Sequence, residues 1–303
     1  MSIVLKSNVA SEINLGTYKS LTSNAATELA AYKARVLADG GEIINEAETL
    51  SAFQFLINQG IYGIARTFIG AKYGMKRNGS GHITKLYSLD GEDLVAFNLG
   101  AGAPVTLVNG EISFSNTIMA DTSAQTAGTI FITQSKIKAR GRGLAVGVSG
   151  SRIQPNNVAK NAVASFTLLD TVPNSSPLWQ VVLGAGLDSI TCVRQIGETP
   201  NQNSTMTTAV LKASFVAISN KYAFFADNKN KQLKGYRGGI LTTLPSTDKQ
   251  FSNLDGFEGY INFGGYVNNE GGAKRYNFGN FTASRFFMYD NLPQTQVEAL
   301  AKL

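Results

Sequence analysis

The chain has 303 residues, of which 43% are apolar and only 16% charged, and its formal net charge of +6 is too small for this length to indicate nucleic acid as a partner. One cysteine, Cys192, and one histidine, His82, exclude an intrachain disulfide and a zinc site built from Cys and His alone. The sequence lacks a signal-peptide pattern and an apolar run of the ~20 residues that a membrane span needs, so we expect synthesis and folding in a cytoplasm.

Two helices are predicted near the start of the chain. The first begins at a cap on Ser23 or Asn24 and ends at residues 39–41, Asp-Gly-Gly. The second begins at Asn45, and Glu48 three positions later completes a capping box in which Asn replaces Ser or Thr. The apolar stripe of the first helix consists of Leu29, Tyr32 and Val36.

A third helix and a linker are predicted next. The helix would end at residues 70–74, and its apolar residues are Ile61, Ile64, Ala65 and Phe68. Residues 76–82, Lys-Arg-Asn-Gly-Ser-Gly-His, are polar and glycine-rich and predict a hinge. We therefore divide the chain into a helical region for anchoring or oligomerisation, residues 1–82, and a β-sandwich domain, residues 83–303.

Short strands separated by turn residues are predicted from residue 83 onward. More than ten strands without an intervening helix favour an antiparallel sandwich over a parallel sheet. The predicted fold class is therefore mainly β, an antiparallel jelly roll preceded by a small helical region. The predicted strands span residues 94–99, 105–108, 129–138, 144–148, 162–169, 179–183, 189–195, 207–218, 222–227, 232–236, 259–263 and 284–289.

Two parts of the sequence carry a resemblance to a known superfamily. Lys85 to Leu94, Lys-Leu-Tyr-Ser-Leu-Asp-Gly-Glu-Asp-Leu, resembles the entry to a concanavalin A-like, laminin-G-type jelly roll. The exit of that fold is similar to residues 223–234, 260–266, 286–292 and 295–300. This resemblance implies a jelly roll whose last strand and short helix close the core through Phe286, Phe287, Tyr289 and Leu292.

The layout as a whole resembles a type of bacteriophage virion protein, in which a helical piece precedes a laminin-G-like domain. Ala31 to Leu56 carries most of this resemblance, including the motif from Tyr32 to Gly41. It implies a structural component of the particle, tail-associated, fibre or capsid-decorating, with the sandwich as a projecting interaction module. The expected partners are other virion proteins and further copies of the chain, and the expected location is the virion.

No arrangement of residues predicts catalysis. His82 lies in the hinge, away from any nucleophile pattern. Concanavalin A-like endoglucanases carry a Glu-x-Asp-x-x-Glu motif, and none of the carboxylates here forms it. We therefore predict no enzyme, no catalytic residue, no cofactor and no metal, with a glycan-degrading activity as the last alternative. The carboxylates considered are Glu92, Asp93, Glu111, Asp121, Asp188, Glu198, Asp255 and Glu258.

A basic face is the first candidate binding site. Lys136, Lys138, Arg140 and Arg142 alternate along the chain, so a continuous strand would project them from one side. Such a face suits an anionic glycan, nucleic acid or an acidic subunit surface. The alternative, which the pattern favours, is a solvated outer face that protects an edge strand by charge.

The second candidate site is an aromatic and Asn-rich segment near the C-terminal strands. Tyr266 and Tyr276 are expected to stay exposed beside loops, where their rings would stack on sugars. The candidate set for carbohydrate or partner binding is Tyr266, Asn268, Asn269, Tyr276 and Asn277. The alternative function is therefore a carbohydrate-binding or receptor-recognition module for a host surface glycan.

Overall fold

The computed structural model describes residues 15–116, 127–150, 161–167, 179–183, 189–197, 206–212, 220–247, 249–270 and 273–303. The helices are α1 (Leu15–Thr22), α2 (Ala25–Ala38), α3 (Glu46–Asn58) and α4 (Gln294–Leu300). Within these ranges, no helix combines the length and the apolar character that a bilayer crossing requires.

The strands follow one another along the chain with few helices between them. They are β1 (Glu42–Ile43), β2 (Ala65–Gly70), β3 (Gly74–Arg77), β4 (Ile83–Leu86), β5 (Leu94–Leu99), β6 (Thr106–Val108), β7 (Glu111–Ser115), β8 (Gly128–Thr133), β9 (Ile137–Lys138), β10 (Leu144–Gly150), β11 (Asn161–Thr167), β12 (Trp179–Leu183), β13 (Ser189–Gln195), β14 (Met206–Lys212), β15 (Asn220–Asp227), β16 (Gln232–Arg237), β17 (Ile240–Thr243), β18 (Glu258–Phe263), β19 (Gly265–Glu270), β20 (Ala273–Phe278), β21 (Asn280–Ala283) and β22 (Arg285–Tyr289).

Two antiparallel sheets form a sandwich. The larger sheet has the order β1-β3-β4-β5-β8-β18-β11-β12-β13-β14, with β9 paired to β18, and the smaller has the order β17-β16-β15-β10-β22-β2. Every strand pair within them is antiparallel. The predicted fold class, an antiparallel jelly-roll sandwich with a small helical region before it, is confirmed.

Phenylalanines dominate the core between the two sheets. Phe263 of the larger sheet stacks on Phe286 of the smaller one, with ring centroids 4.7 Å apart. Phe114 meets Phe263 edge-on at 5.1 Å and stacks on Phe281 at 4.7 Å. These rings are buried, so the sandwich closes through offset and edge-to-face aromatic contacts.

The smaller sheet is covered on its other face by helices. Along β22, Phe286 and Met288 belong to the core between the sheets, while Phe287 and Tyr289 belong to a second core shared with α2, α3 and α4. The alternation follows from the two-residue period of a strand. A strand buried on both faces therefore lies at the centre of three layers: sheet, sheet and helices.

Both predicted helix caps are confirmed. The Asn24 side chain accepts hydrogen bonds from the backbone N–H groups of Ala26 and Thr27, and α2 begins directly after it. The Asn45 side chain accepts one from the N–H of Glu48 at 3.0 Å. The caps satisfy N–H groups that the first helical turn leaves without an intrahelical partner.

The predicted third helix is wrong. Residues 65–70 form β2, which pairs with β22 at the other end of the sequence. The apolar run is buried on both sides as a strand of the smaller sheet, and a short run of this kind has no period that separates strand from helix.

The predicted hinge is also wrong. Residues 78–82 form the turn between β3 and β4, two paired strands of the larger sheet. The Asn78 side chain accepts hydrogen bonds from the N–H groups of Ser80 and His82, which closes the turn. The boundary predicted between residues 82 and 83 therefore falls inside a hairpin.

Candidate binding site

The predicted aromatic site is a hairpin rather than a set of loops, because β19 and β20 pair from Gly265↔Phe278 to Glu270↔Ala273. Tyr266 is only 5% exposed, so the prediction that its ring is available to a ligand is wrong. The backbones of the other four candidates lie in these strands. Their side chains lie outside the described part of the structure, and they are those of Asn268, Asn269, Tyr276 and Asn277.

Most of the predicted basic face is present as a short extended segment, residues 136–140, which we call the basic segment. Lys136, Lys138 and Arg140 are exposed, whereas the two residues between them are buried. Its backbone is held against β18, where Lys138 lies opposite Glu258 and the Ala139 N–H donates to a carbonyl at 2.9 Å. The predicted alternation therefore holds from residue 136 to residue 140.

Arg142 does not share this face, which corrects the fourth residue of the prediction. Gly141 has a positive φ of 62°, so the chain turns and the alternation ends. The guanidinium of Arg142 turns inward and donates to the carbonyls of Phe251 at 2.6 Å and Gly197 at 3.3 Å. It holds the loop in place rather than extending the basic segment.

A fully buried arginine supports the same loop from beneath. Arg194 donates to the carbonyls of Ser252 at 2.8 Å and Arg142 at 3.3 Å, and its guanidinium lies 5.9 Å from the ring of Phe251. Burial lowers its pKa to about 10, since desolvation disfavours the charged form. Backbone carbonyls and a ring take the place of a carboxylate, and they fix the chain that follows the basic segment.

A cleft of about 530 Å³ adjoins the basic segment, and we call it the polar cleft. Its size falls in the range of roughly 300–1,000 Å³ that is usual for ligand sites. All of its lining residues except Gly91 carry polar side chains, and they come from α2, the turn between β4 and β5, and the bend between β8 and β9. The lining residues are Arg35, Gly91, Glu92, Asp93, Gln134 and Ser135.

The turn between β4 and β5 is docked tightly on β2. Gly91 has a φ of 85°, and a Cβ there would approach the Arg66 carbonyl oxygen to 2.4 Å, so only glycine fits. The Glu92 N–H donates to that same carbonyl at 2.8 Å, and the Thr67 hydroxyl donates to the Glu92 carbonyl at 2.8 Å. Asp90, just before, accepts three backbone N–H groups ahead of β2. The turn is therefore rigid.

Arg35 reaches the cleft from α2 in a fixed orientation. Its guanidinium donates to the Asp93 carboxylate at 2.6 Å and to the Ser88 carbonyl at 2.8 Å. It also lies 5.4 and 5.6 Å from the rings of Tyr32 and Tyr87, within the range of cation–π attraction. These contacts pre-organise the cationic side of the cleft.

A chain of alternating charges continues from Asp93. Lys85 lies 3.3 Å from the Asp93 carboxylate and 2.9 Å from that of Asp39, which also contacts Lys76 at 3.3 Å. Hydrogen bonds from Lys85, the Tyr87 hydroxyl and Lys76 hold the pKa of Asp39 well below its ordinary value. This network ties α2 to β3 and β4 behind the cleft.

Three side chains of the cleft remain available to a ligand. Glu92, Gln134 and Ser135 are exposed and form no hydrogen bond through their side chains within the residues that the structure describes. They offer a carboxylate, an amide and a hydroxyl, which together both donate and accept hydrogen bonds. Such a set suits a ligand rich in hydroxyl groups.

Among the described ranges, no cluster of three His, Cys, Asp or Glu side chains could hold a metal.

Sequence reasoning missed most of this cleft. Gln134 and Ser135 are not part of any motif. Arg35, Glu92 and Asp93 lie in the segments that carry the resemblances, which imply no ligand-binding role for them. The sequence signal for the cleft is Asp90-Gly91-Glu92-Asp93, a predicted turn with three carboxylates in four residues.

No protein-family model matches this sequence, and no curated protein matches it. Among solved structures, a Ruminococcus gnavus IT-sialidase CBM40 bound to alpha2,3 sialyllactose aligns with a TM-score of 0.41 and 19% identity over 55% of this chain and 85% of that chain. The binding domain of botulinum neurotoxin DC, in complex with rat synaptotagmin II, aligns with a TM-score of 0.48 and 10% identity over 78% and 51%. The botulinum neurotoxin serotype G binding domain gives 0.47 and 10% over 78% and 50%. This chain thus spans about half of each toxin chain. With TM-scores below 0.5, these likenesses carry no functional argument.

Proposed function

We propose that the protein is a carbohydrate-binding module and that the polar cleft holds the sugar. The observation that supports this proposal is the available set of Glu92, Gln134 and Ser135 beside a pre-organised Arg35. Sugar hydroxyls donate and accept hydrogen bonds, so they match side chains of both kinds. A rigid cleft also loses little conformational entropy when a ligand binds.

We propose binding without catalysis. Glycoside hydrolysis requires two carboxyl groups that flank the scissile bond. Asp93 is engaged through both oxygens, one by the Ser88 N–H at 2.9 Å and the other by Arg35 and Lys85. Glu92 is its direct neighbour in sequence, on the same side of the cleft. This arrangement supports a positioning role for Asp93 and hydrogen bonding to the ligand by Glu92.

A glycan array with the purified protein tests the proposal, followed by affinity measurement on the glycans that bind. Gln134→Ala should weaken binding about tenfold, because one or two hydrogen bonds worth about 1 kcal/mol each are lost. Gln250→Ala is the matched control, since Gln250 is also an exposed glutamine but lies outside the cleft. An array without a single bound glycan would refute the proposal, as would equal affinities for the two variants.

Incorporation into a phage particle and homo-oligomer formation stay predictions from the resemblance of residues 31–56. The apolar stripe of α2 packs on the smaller sheet, which leaves Leu37, 53% exposed, as an apolar residue of that helix available to a partner. Light scattering of the purified protein with and without Leu37→Ser tests self-association through α2. A monomer for both proteins over the full concentration range would count against it.

A further inference from the structure

We infer that the ligand is an acidic polysaccharide whose acid groups bind the basic segment while an adjoining sugar occupies the polar cleft. This inference rests on the proposed function and deepens it, because it names the ligand class and a second contact. The observation that supports it is that two lining residues of the cleft, Gln134 and Ser135, directly precede the basic segment along the chain. The exposed cations of that segment are Lys136, Lys138 and Arg140.

The basic segment has the geometry of a polymer site. Its exposed cations recur at every second residue, which in an extended chain places them roughly 6.6–6.8 Å apart on one side. The pairing of β9 with β18 fixes the segment at one end. The loop after it is fixed by Arg142, by Arg194 beneath and by the Gly141 N–H, which donates to Asp255 at 2.8 Å. A linear ligand therefore meets cations whose backbone is already held in place.

Among the described residues, neighbouring carboxylates do not neutralise Lys138 or Arg140. Lys138 lies opposite Glu258 in the strand pairing, but the two side chains form no ion pair in the described part of the chain. Asp290 is near enough to Arg140 for each to feel the other's charge, yet it is engaged in an ion pair with Arg66. Lys138 and Arg140 thus keep their charge available to an anionic ligand.

The adjoining cleft favours a polysaccharide over a nucleic acid. Glu92 places a carboxylate without a cationic partner among the described residues in the cleft, and it would repel a backbone that carries a phosphate at every unit. Many acidic polysaccharides alternate an acidic sugar with a neutral one. The neutral sugar can hydrogen-bond to Gln134 and Ser135 while its acidic neighbour lies over the cations.

Binding of hyaluronan, an alternating polymer of uronic acid and N-acetylhexosamine, tests the inference by biolayer interferometry, with neutral dextran and single-stranded poly-dT as comparison probes. The variant K138Q/R140Q removes two exposed cations of the segment, and K229Q/K249Q removes two exposed lysines elsewhere as the matched control. We expect about a thirtyfold loss for the first, because two ion pairs with the ligand are lost, and less than threefold for the control. The loss should shrink as ionic strength rises from about 0.01 M to about 1 M.

The possible results separate the two proposals. Neutral and acidic sugars that all fail to bind would overturn both. Neutral sugars that bind in a Gln134-dependent manner, with hyaluronan unaffected by K138Q/R140Q, would overturn the inference and leave the proposed function standing. An equal loss for K138Q/R140Q and K229Q/K249Q would show that only the overall charge matters, and it would overturn the inference. Tighter binding of poly-dT than of hyaluronan, lost in K138Q/R140Q, would assign the segment to nucleic acid instead. Unchanged melting temperatures of the variants show that both are folded.

Discussion

The two faces of the smaller sheet are buried by different chemistry. The face toward the larger sheet is sealed by phenylalanine rings such as Phe263, Phe286 and Phe281, which make no hydrogen bonds. The face toward the helices uses tyrosines and hydrogen bonds between distant segments: the Tyr32 hydroxyl donates to the Tyr87 carbonyl and accepts from a backbone N–H of β3. The first face supplies cohesion, and the second fixes where α2 sits.

The difference bears on the site, because one wall of the polar cleft comes from α2. Arg35 comes from α2, while Glu92 comes from the turn docked on β2. The distance between the two side chains, and with it the shape of the cleft, therefore depends on the position of α2. Hydrogen bonds are directional and set such a position more sharply than apolar contacts do. Four substitutions compare the two faces.

The largest effect should come from the sandwich core. Phe263→Ala removes a fully buried ring that contacts Phe286 and Phe114 and leaves a cavity. We expect a loss of about 3–5 kcal/mol in the free energy of unfolding, measured by urea denaturation. Ile240→Ala, at a position 71% exposed, is the control and should cost less than about 0.5 kcal/mol. Similar losses for the two would contradict the assignment of the core.

The next effect should come from Asp90. One oxygen of its carboxylate accepts the N–H groups of Gly63, Ile64 and Ala65 at 2.7, 3.1 and 3.1 Å. Asp90→Ala leaves those donors unsatisfied, and we expect a loss of about 2–4 kcal/mol by urea denaturation. Asp90→Asn keeps an oxygen in that position and should lose clearly less. The idea fails if Asn is as damaging as Ala.

A smaller effect is expected for the hydroxyl of Tyr32. Tyr32→Phe removes two hydrogen bonds, at 2.9 Å to a carbonyl and 2.8 Å from an N–H, and should cost about 1–2 kcal/mol. Tyr236 is the matched control, since it is equally buried on this side but its hydroxyl has no partner among the described residues. Tyr236→Phe should be neutral or slightly stabilising in thermal denaturation. The reverse order would show that the polar contacts do not set this face.

The smallest effect should come from the exposed charge network, and it should depend on pH. Folding lowers the pKa of Asp39, so its contribution to stability is complete above the pKa of about 4 in the unfolded chain and is lost as the pH falls below that value toward the folded pKa. Asp39→Asn should therefore lower the melting temperature slightly at neutral pH, and this difference should become smaller as the pH falls below about 4. A difference that grows in acid would contradict this sign.

The sequence alone predicted the elements whose signals are local. The caps at Asn24 and Asn45 are one-residue signals with a direct physical cause, and β5, β12 and β13 have the predicted bounds. The jelly-roll class followed from the number of such strands and from the resemblance of the chain's entry and exit segments.

The tertiary structure decided everything that depends on pairing over long separations. Residues 65–70 are a strand because β22 offers them a ladder, and Tyr266 is buried because its hairpin packs on the sandwich rather than projecting as a loop. The polar cleft joins Arg35, the Gly91 turn and Gln134, three segments with no shared motif. The basic alternation could be predicted from the sequence, but its end at Gly141 depends on a backbone turn. Hydrophobic periodicity and helix caps depend on residues that are close in sequence, so the sequence alone reveals them. A binding site depends on which distant segments the fold brings together.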